Sequence, residues 1–318
     1  MNHFFDVDDI GSLELALARA QSIKAQPKKG YAEGNRKSIG LLFFNPSLRT
    51  RLSSQRAAQN LGMDVVVLDV GSESWKLEFS DGKIMNGASA EHIKEAAGVM
   101  GAYFDFLAIR AFASLQDRDL DYAEPVLTSF MKHAGVPIIN MESSTGHPLQ
   151  AFADLITIDE FKKTERPKVV LSWAPHPRAL PHAVANSFAQ WMNRAPVDLI
   201  ITHPEGYELD PKFVGSARVE TNQFLAFEGA DFIYAKNWSS YNHYGQVLHQ
   251  DFAWMINQGK MDLTNQAYFM HCLPVRRNMI VSDQIIDSPK SLVIQQAANR
   301  VVSMQTVLSM LLEQKGSK

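Results

Sequence analysis

The sequence predicts an α/β protein built from two doubly wound parallel-sheet domains. Three observations carry that reading. Short apolar runs alternate with longer amphipathic stretches along all 318 residues. Most of the short runs are apolar at consecutive positions, the pattern of strands covered on both faces. The chain is also long for a single core, and at about 150 residues per domain it divides into roughly two.

Taken in order, strands are expected at 39–44, 65–70, 106–110 and 136–141 in the first half. In the second half they are expected at 168–173, 197–202, 231–234, 267–271 and 291–294. Helices are expected between them at 49–61, 91–103, 122–133, 182–193 and 246–258. Such alternation requires right-handed crossovers, and these build parallel sheets. A further helix is expected at 149–163, with Phe152, Leu155, Ile156, Ile158 and Phe161 apolar. It follows His147-Pro148 and stops at Glu165-Arg166-Pro167. The domain seam is expected there, dividing 1–148 from 149–296. A last helix, 297–318, has a broad apolar face from Val301 to Leu312 and is expected to complete the first domain. The two domains are thus joined by interdomain helices.

Composition excludes several function classes. Hydrophobic residues make up 46% and charged residues 20%, an ordinary soluble balance. A net charge of −3 offers no basic field for nucleic acid or an anionic membrane. No apolar run approaches the length of a spanning helix. The start, Met1-Asn2-His3-Phe4-Phe5-Asp6, lacks a basic region followed by an apolar one. The single cysteine, Cys272, excludes a disulfide framework and a multi-cysteine zinc module. These features imply a reducing, cytoplasmic setting. No metal site and no cofactor motif is expected: neither a phosphate loop ending Gly-Lys-Ser/Thr nor a dinucleotide glycine fingerprint occurs.

Reactive residue types gather just after the expected strands, where open parallel sheets bind ligands. Asn45-Pro46-Ser47-Leu48-Arg49-Thr50-Arg51 follows the first strand and opens a helix, with Ser47 a natural N-cap. Unpaired first-turn amides attract anions. Arg49 and Arg51, however, put cations at the end where cations are unfavourable, and a ligand anion would resolve that conflict. Arg110 closes the third strand, and Glu142 and His147 follow the fourth. His147-Pro148-Leu149-Gln150 could hydrogen-bond a carbonyl oxygen in an acyl-transfer transition state, though taken alone the motif reads rather as a surface histidine near a helix start. In the second half, His176 follows one strand, Lys236 another, and His271-Cys272-Leu273-Pro274-Val275-Arg276 a third. Cys272 reads as packing rather than as a nucleophile, because no base is fixed beside it. Both halves aim polar groups at one sheet edge, which suggests a shared cleft.

The ordered set Ser47-x-Arg49-Thr50-Arg51, His147-Pro148-x-Gln150 and His271-Cys272-Leu273-Pro274 resembles the carbamoyltransferase (transcarbamylase) family. The likeness spans essentially the whole chain. It implies the carbamoyltransferase fold, a homotrimer with active sites at subunit interfaces, and direct carbamoyl transfer without metal or cofactor. By motif, Ser47, Leu48, Arg49 and Thr50 would bind the phosphate of carbamoyl phosphate, and Arg110 would bridge phosphate and carbonyl oxygen. His147 and Gln150 would hold the carbamoyl group, and Arg300 matches a further ligand-binding arginine. Cys272 and Leu273 would present backbone carbonyls to the amine and the carbamoyl nitrogen. Arg110, His147 and Cys272 are the catalytic candidates. Trp75, in the loop Glu73–Glu78, would reach the neighbouring subunit's site.

One departure is informative. The Ser-Met-Gly segment with which ornithine enzymes hold a free α-amino group is absent, and Ala235-Lys236-Asn237-Trp238 stands in its place. A cation there repels free ornithine and suits an acylated, uncharged α-nitrogen. Met141-Glu142-Ser143-Ser144-Thr145 and the stretch from Trp173 through His176 to Pro181 also resemble the branch acting on N2-acylated ornithine. That branch carries a knotted loop in its second domain, expected here near 175–181. Glu142, His176, Lys236 and Arg276 would bind the acylornithine. In this branch a Pro before Glu91-His92 goes with succinyl and a Glu with acetyl; Ala90 matches neither. The overall similarity is closer to the succinyl type, so N2-succinylornithine is the expected substrate and arginine biosynthesis the expected role. N2-acetylornithine, free ornithine and a non-catalytic anion-binding protein are the alternatives.

Overall fold

The computed structural model describes residues 2–28 and 32–316. The chain divides into two compact units: residues 1–114, 119–149 and 300–318 form one, and 115–118 with 150–299 form the other. Three of the four boundaries fall inside helices, between residues 118 and 119, 149 and 150, and 299 and 300. Met1, at the start of the first expected domain, and residues 317–318 of the expected last helix lie outside the described residues.

In the first unit, α1 (Leu13–Ala25) precedes β1 (Ser38–Phe43), α2 (Arg49–Asn60), β2 (Asp64–Asp69), β3 (Lys76–Glu78) and β4 (Ser89–His92). Then come α3 (Ile93–Tyr103), β5 (Phe106–Arg110), α4 (Arg118–Tyr122), α5 (Pro125–His133), β6 (Ile138–Glu142) and the start of α6 (Pro148–Phe161). The main sheet is parallel, in the order β2-β1-β5-β6. β5 and β6 are buried along their whole length, as their consecutive apolar residues require. Because the order reverses between β1 and β5, their carboxyl ends flank a topological switch point.

The second unit holds β7 (Lys168–Trp173), α7 (Ala183–Arg194), β8 (Asp198–Thr202), α8 (Pro211–Val214), β9 (Arg218–Glu220), α9 (Gln223–Phe227) and β10 (Phe232–Lys236). It continues with α10 (Gln258–Met261), β11 (Tyr268–Met270), α11 (Asp283–Ile286) and the first turns of α12 (Val293–Gly316). Its sheet is also parallel, in the order β11-β10-β7-β8-β9. The second switch point lies between β7 and β10, where Trp173 pairs with Lys236.

The structure corrects several expected elements. Residues 291–294 form no strand: Ser291 makes a single bridge to Phe269, and α12 begins at Val293. Residues 246–258 form no continuous helix, only a 3-10 turn at Phe252–Trp254 before α10 starts at Gln258. The Tyr207 hydroxyl instead accepts from the Leu248 and His249 N–H groups and donates to the His249 carbonyl, which holds that segment open. The 122–133 helix is broken at Glu124, whose left-handed backbone (φ 51°) and following Pro125 start a new helix. Residues 89–92 pair as β4 before α3 starts at Ile93. The short β3 and β9, and α1, were not expected.

Candidate active site

In the first unit the site is built at the β1/β5 switch point. The chain leaves β1 through Asn45, whose Oδ1 accepts the Phe112 N–H at 2.7 Å and so ties this loop to the residues after β5. α2 opens at Arg49 behind Leu48, a residue with no capping side chain. Ser47 still caps, as the sequence implies: its Oγ accepts the Thr50 N–H at 3.1 Å. The remaining first-turn amides give this end a partial positive charge.

Three arginines converge there. Arg300, from α12, donates to the Thr50 hydroxyl at 2.8 Å, and Arg110 approaches the same oxygen at 3.5 Å. Arg110 stacks on the Phe112 ring at 4.3 Å and pairs with Glu142 at 3.2 Å. His147 Nε2 lies 3.4 Å from the same Glu142 carboxylate. Thr50, Arg110, Glu142, His147 and Arg300 are all buried, so a surface role for His147 is ruled out. Among the described residues nothing hydrogen-bonds the buried Nε atoms of Arg49 and Arg110. Burial lowers the Arg110 pKa, Glu142 opposes that, and the nearby Arg49 charge adds to it. The cluster therefore holds more positive charge than Glu142 neutralises. Its chemistry is that of a cradle for a compact, multiply charged oxyanion.

The loop that delivers His147 is fixed by a residue the sequence did not single out. Glu124, buried, accepts from the Ser143 hydroxyl (2.6 Å), the Thr145 hydroxyl (2.6 Å), and the Thr145 and Ser144 amides (2.7 and 3.2 Å). Burial raises its pKa and these bonds oppose the rise. Trp75 sits elsewhere on this unit. It is 58% exposed, and its indole N–H donates to Glu91 at 2.8 Å, bridging the turn before β3 to β4.

In the second unit the polar residues meet at its own switch point. Arg276 Nε donates to His176 Nε2 at 3.0 Å, and His176 Nδ1 contacts the Arg178 carbonyl at 2.9 Å. Burial lowers the His176 pKa. The Arg178 carbonyl opposes this, and the Lys236, Arg276 and Arg178 charges reinforce it. Lys236, nearly buried at the end of β10, is thus part of the same cationic group. The acceptor role of Nε2 makes His176 neutral, with its proton on Nδ1. Gln150, in the first turn of α6, donates to Asp154 Oδ1 at 2.7 Å. Gln296 donates to the same oxygen at 2.6 Å and accepts the His271 N–H at 3.0 Å. His271 Nδ1 in turn accepts the Leu273 N–H at 2.9 Å, which sets the turn carrying Cys272 and Leu273. Cys272 is partly buried and is not disulfide-bonded. Asp154 and Gln296 were also missed, although Asp154 stands four residues after Gln150, one helical turn on the same face.

With this geometry in view, the comparisons decide the lineage. The family described as Aspartate/ornithine carbamoyltransferase, carbamoyl-P binding domain, matches residues 2–160. Its Asp/Orn binding domain matches residues 181–311. The chain belongs to the aspartate/ornithine carbamoyltransferase family. Within it, the chain is 57% identical over 315 residues to the N-succinylornithine carbamoyltransferase of Bacteroides fragilis (strain 638R), covering 98% of this chain and 99% of that one. It is 36% identical to the N-acetylornithine carbamoyltransferase of Xanthomonas axonopodis pv. citri (strain 306), covering 99% and 98%. Among solved structures, acetylornithine transcarbamylase complexed with acetylcitrulline superposes with a TM-score of 0.91 at 36% identity, over 98% of this chain and 99% of that one. A Glu-to-Ala variant of N-acetyl-L-ornithine transcarbamylase, complexed with carbamyl phosphate and N-succinyl-L-norvaline, gives 0.92 at 36%, over 98% and 100%. Family, enzyme class and two-domain parallel fold thus agree with the sequence reading. Among the described residues no helix is long and apolar enough to cross a membrane.

Proposed function

We propose that this chain transfers the carbamoyl group of carbamoyl phosphate to the δ-amine of N2-succinyl-L-ornithine, releasing N2-succinylcitrulline and phosphate. The observation that carries the reading is 57% identity, along 98% of the chain, to an enzyme named for that substrate. The arginine cradle supports the donor half. In this reading Ser47, Leu48, Arg49 and Thr50 hold the phosphate at the start of α2, and Arg110 and Arg300 neutralise it. The δ-amine attacks the carbamoyl carbon, the bond to the phosphate oxygen breaks, and the amine proton leaves with the phosphate. Arg110 and His147 stabilise the oxyanion that develops, so catalysis is positioning and electrostatic preorganisation. Gln150 and the Cys272 and Leu273 carbonyls hold the carbamoyl nitrogen.

The cationic group of His176, Lys236 and Arg276 supports the acceptor half. A succinyl-ornithine carries two carboxylates and no α-ammonium, and Glu142 is left to orient the incoming amine. Ala90 takes, in our reading, the place of the glutamate whose replacement by alanine accompanies the N-succinyl ligand in the relative. The same reading makes the protein cytoplasmic and homotrimeric, with Trp75 completing a neighbour's site. A cavity of about 340 Å³ lined by Leu42, Val66, Trp75, Val99, Met100 and Tyr103, several of them exposed, supports an interface on that face. The same reading expects a threaded loop near 175–181, and the bonds that tie 174–182 to 236–239 support it.

The test is ureido-product formation from carbamoyl phosphate with ornithine, N2-acetylornithine and N2-succinylornithine in parallel. The succinyl compound is expected to exceed the acetyl one in kcat/KM by ~10-fold or more, the worth of one charge-assisted hydrogen bond. Arg49→Ala is expected to abolish turnover. Preference for the acetyl compound would overturn the acyl assignment. Silence with all three amines would overturn the activity.

A further inference from the structure

We infer that Lys260 is a positioning residue for the acylornithine half of the site. Its ammonium pins the segment packed on the end of β7 and, through Gln223 and Ser172, the backbone that leads to His176. The inference rests on the function proposed above, and every residue it uses lies in the second unit. Lys260, in α10, is only 3% exposed, an unusual place for an ammonium. It donates to Gln223 Oε1 at 2.6 Å, to the Met255 carbonyl at 2.8 Å and to the Ala253 carbonyl. These acceptors are neutral oxygens, so dipoles turned inward hold the charge. The Phe224 ring faces the same ammonium at 5.8 Å. Burial pulls the Lys260 pKa down to about 8, and the Asp251 charge opposes this. An ammonium only donates, so the Gln223 amide must meet it with oxygen and turn its nitrogen away. That nitrogen donates to Ser172 Oγ at 2.8 Å and to the Trp254 carbonyl at 3.2 Å. The Ser172 hydroxyl in turn donates to the Trp173 carbonyl at 3.0 Å. Polarity therefore runs one way, from the ammonium to the last residue of β7.

That residue stands beside the proposed acceptor group. Trp173 pairs in register with Lys236, and the next residue, Ala174, donates its N–H to the Lys236 carbonyl at 3.1 Å. His176, the partner of Arg276, follows two positions later. The Trp254 ring meets Trp173 edge-on, with centroids 6.1 Å apart. The segment that carries Trp254 is thus held at two points. The Tyr207 hydroxyl holds it at Leu248 and His249, and Lys260 holds it at Ala253 and Met255. Without the ammonium, three buried oxygens lose their donor and the Gln223 amide is free to turn over. The disturbance falls on the strand end between Lys236 and His176, and none of these residues belongs to the arginine cradle.

The test separates the two substrates. N2-succinyl-L-norvaline, which has no δ-amine to react, is titrated by calorimetry into the full chain with carbamoyl phosphate present. Carbamoyl phosphate is titrated alone. Lys260→Met keeps the length of the side chain without its charge. It is expected to weaken the succinyl compound ~10-fold and carbamoyl phosphate by less than about twofold. Steady-state rates should show the same split, with a raised KM for N2-succinylornithine and a KM for carbamoyl phosphate near that of wild type. Ser172→Ala removes the last donor of the chain and leaves the ammonium caged, so a ~3-fold weakening of the succinyl compound is expected. Added to Lys260→Met, it should weaken binding no further. Unchanged affinity for the succinyl compound in a folded Lys260→Met protein would overturn the inference. So would equal losses of both ligands, the mark of a merely structural role. If Lys260→Met does not fold, Ser172→Ala decides, and wild-type affinity in that variant overturns the inference. Wild type that binds carbamoyl phosphate but neither binds the succinyl compound nor turns over N2-succinylornithine would sink the proposed function instead, a distinguishable result.

Discussion

Arg110 shows at the scale of one residue why this site needs a ligand. Its guanidinium is buried beside Arg49, pairs with Glu142 at 3.2 Å, and leaves one buried N–H without a hydrogen-bond partner among the described residues. An oxyanion would satisfy that donor and relieve the like-charge contact together. His182 is the opposite case, a residue finished internally. It is buried, its Nε2–H donates to the Ser239 carbonyl at 2.8 Å, and burial depresses its pKa to about 4. A folded pKa below the unfolded one means that protonation favours unfolding. Its contribution, about 3 kcal/mol in all, is complete above about pH 6.5 and is lost as pH falls to about 4. Urea titrations at pH 7 and pH 4.5 on wild type and His182→Asn should show a smaller acid loss in the variant. Equal losses would contradict this account.

At the scale of elements, strand boundaries were the most legible features. Those expected at 106–110 and 168–173 agree with β5 and β7 at both ends. Both are buried apolar runs, so burial and periodicity report the same thing. The failures have local causes. An amphipathic stretch at 246–258 is overridden by the Tyr207 hydroxyl, a long-range partner no window contains. The break at Glu124 answers to a buried carboxylate that must reach Ser143 and Thr145. Close packing also leaves a sharp expectation. Gly101, in α3, lies so near the residues ending α5 that an added Cβ would sit 1.7 Å from the Ala134 carbonyl oxygen. Gly101→Ala raises helix propensity by about 1 kcal/mol but forces the two helices apart. A net loss of about 2 kcal/mol is expected, seen as a lower urea midpoint with unchanged slope. A midpoint that rose would refute the packing argument.

For the whole molecule, a net charge of −3 conceals a concentrated positive cluster at the start of α2. Small anions are thereby drawn to one place while the protein as a whole stays mildly acidic. The exposed Trp75, Val99 and Tyr103 around one apolar cavity set the expectation for assembly. Light scattering should give about three times the 35.6 kDa chain mass. If Trp75 completes a neighbour's site as proposed, Trp75→Ala should lower kcat/KM by at least ~10-fold while the mass stays that of wild type, since such a residue would serve chemistry more than association. A monomeric wild type with full activity would exclude the shared site.

The amino-acid sequence alone determined the fold class, the parallel sheets and the family. Those follow from local periodicity and from short motifs whose residues are near neighbours in the chain. It also supplied the donor-site candidates Ser47, Arg49, Arg110, His147 and Arg300. Only the tertiary structure showed that Arg300 reaches Thr50 across 250 positions, and that Glu124 and Asp154 hold the loops carrying His147 and the Cys272 turn. The physical reason is that a buried polar group must find its partners wherever the fold brings them. Hydrophobic patterning is written residue by residue, whereas hydrogen-bond satisfaction is decided only once distant segments share one interior.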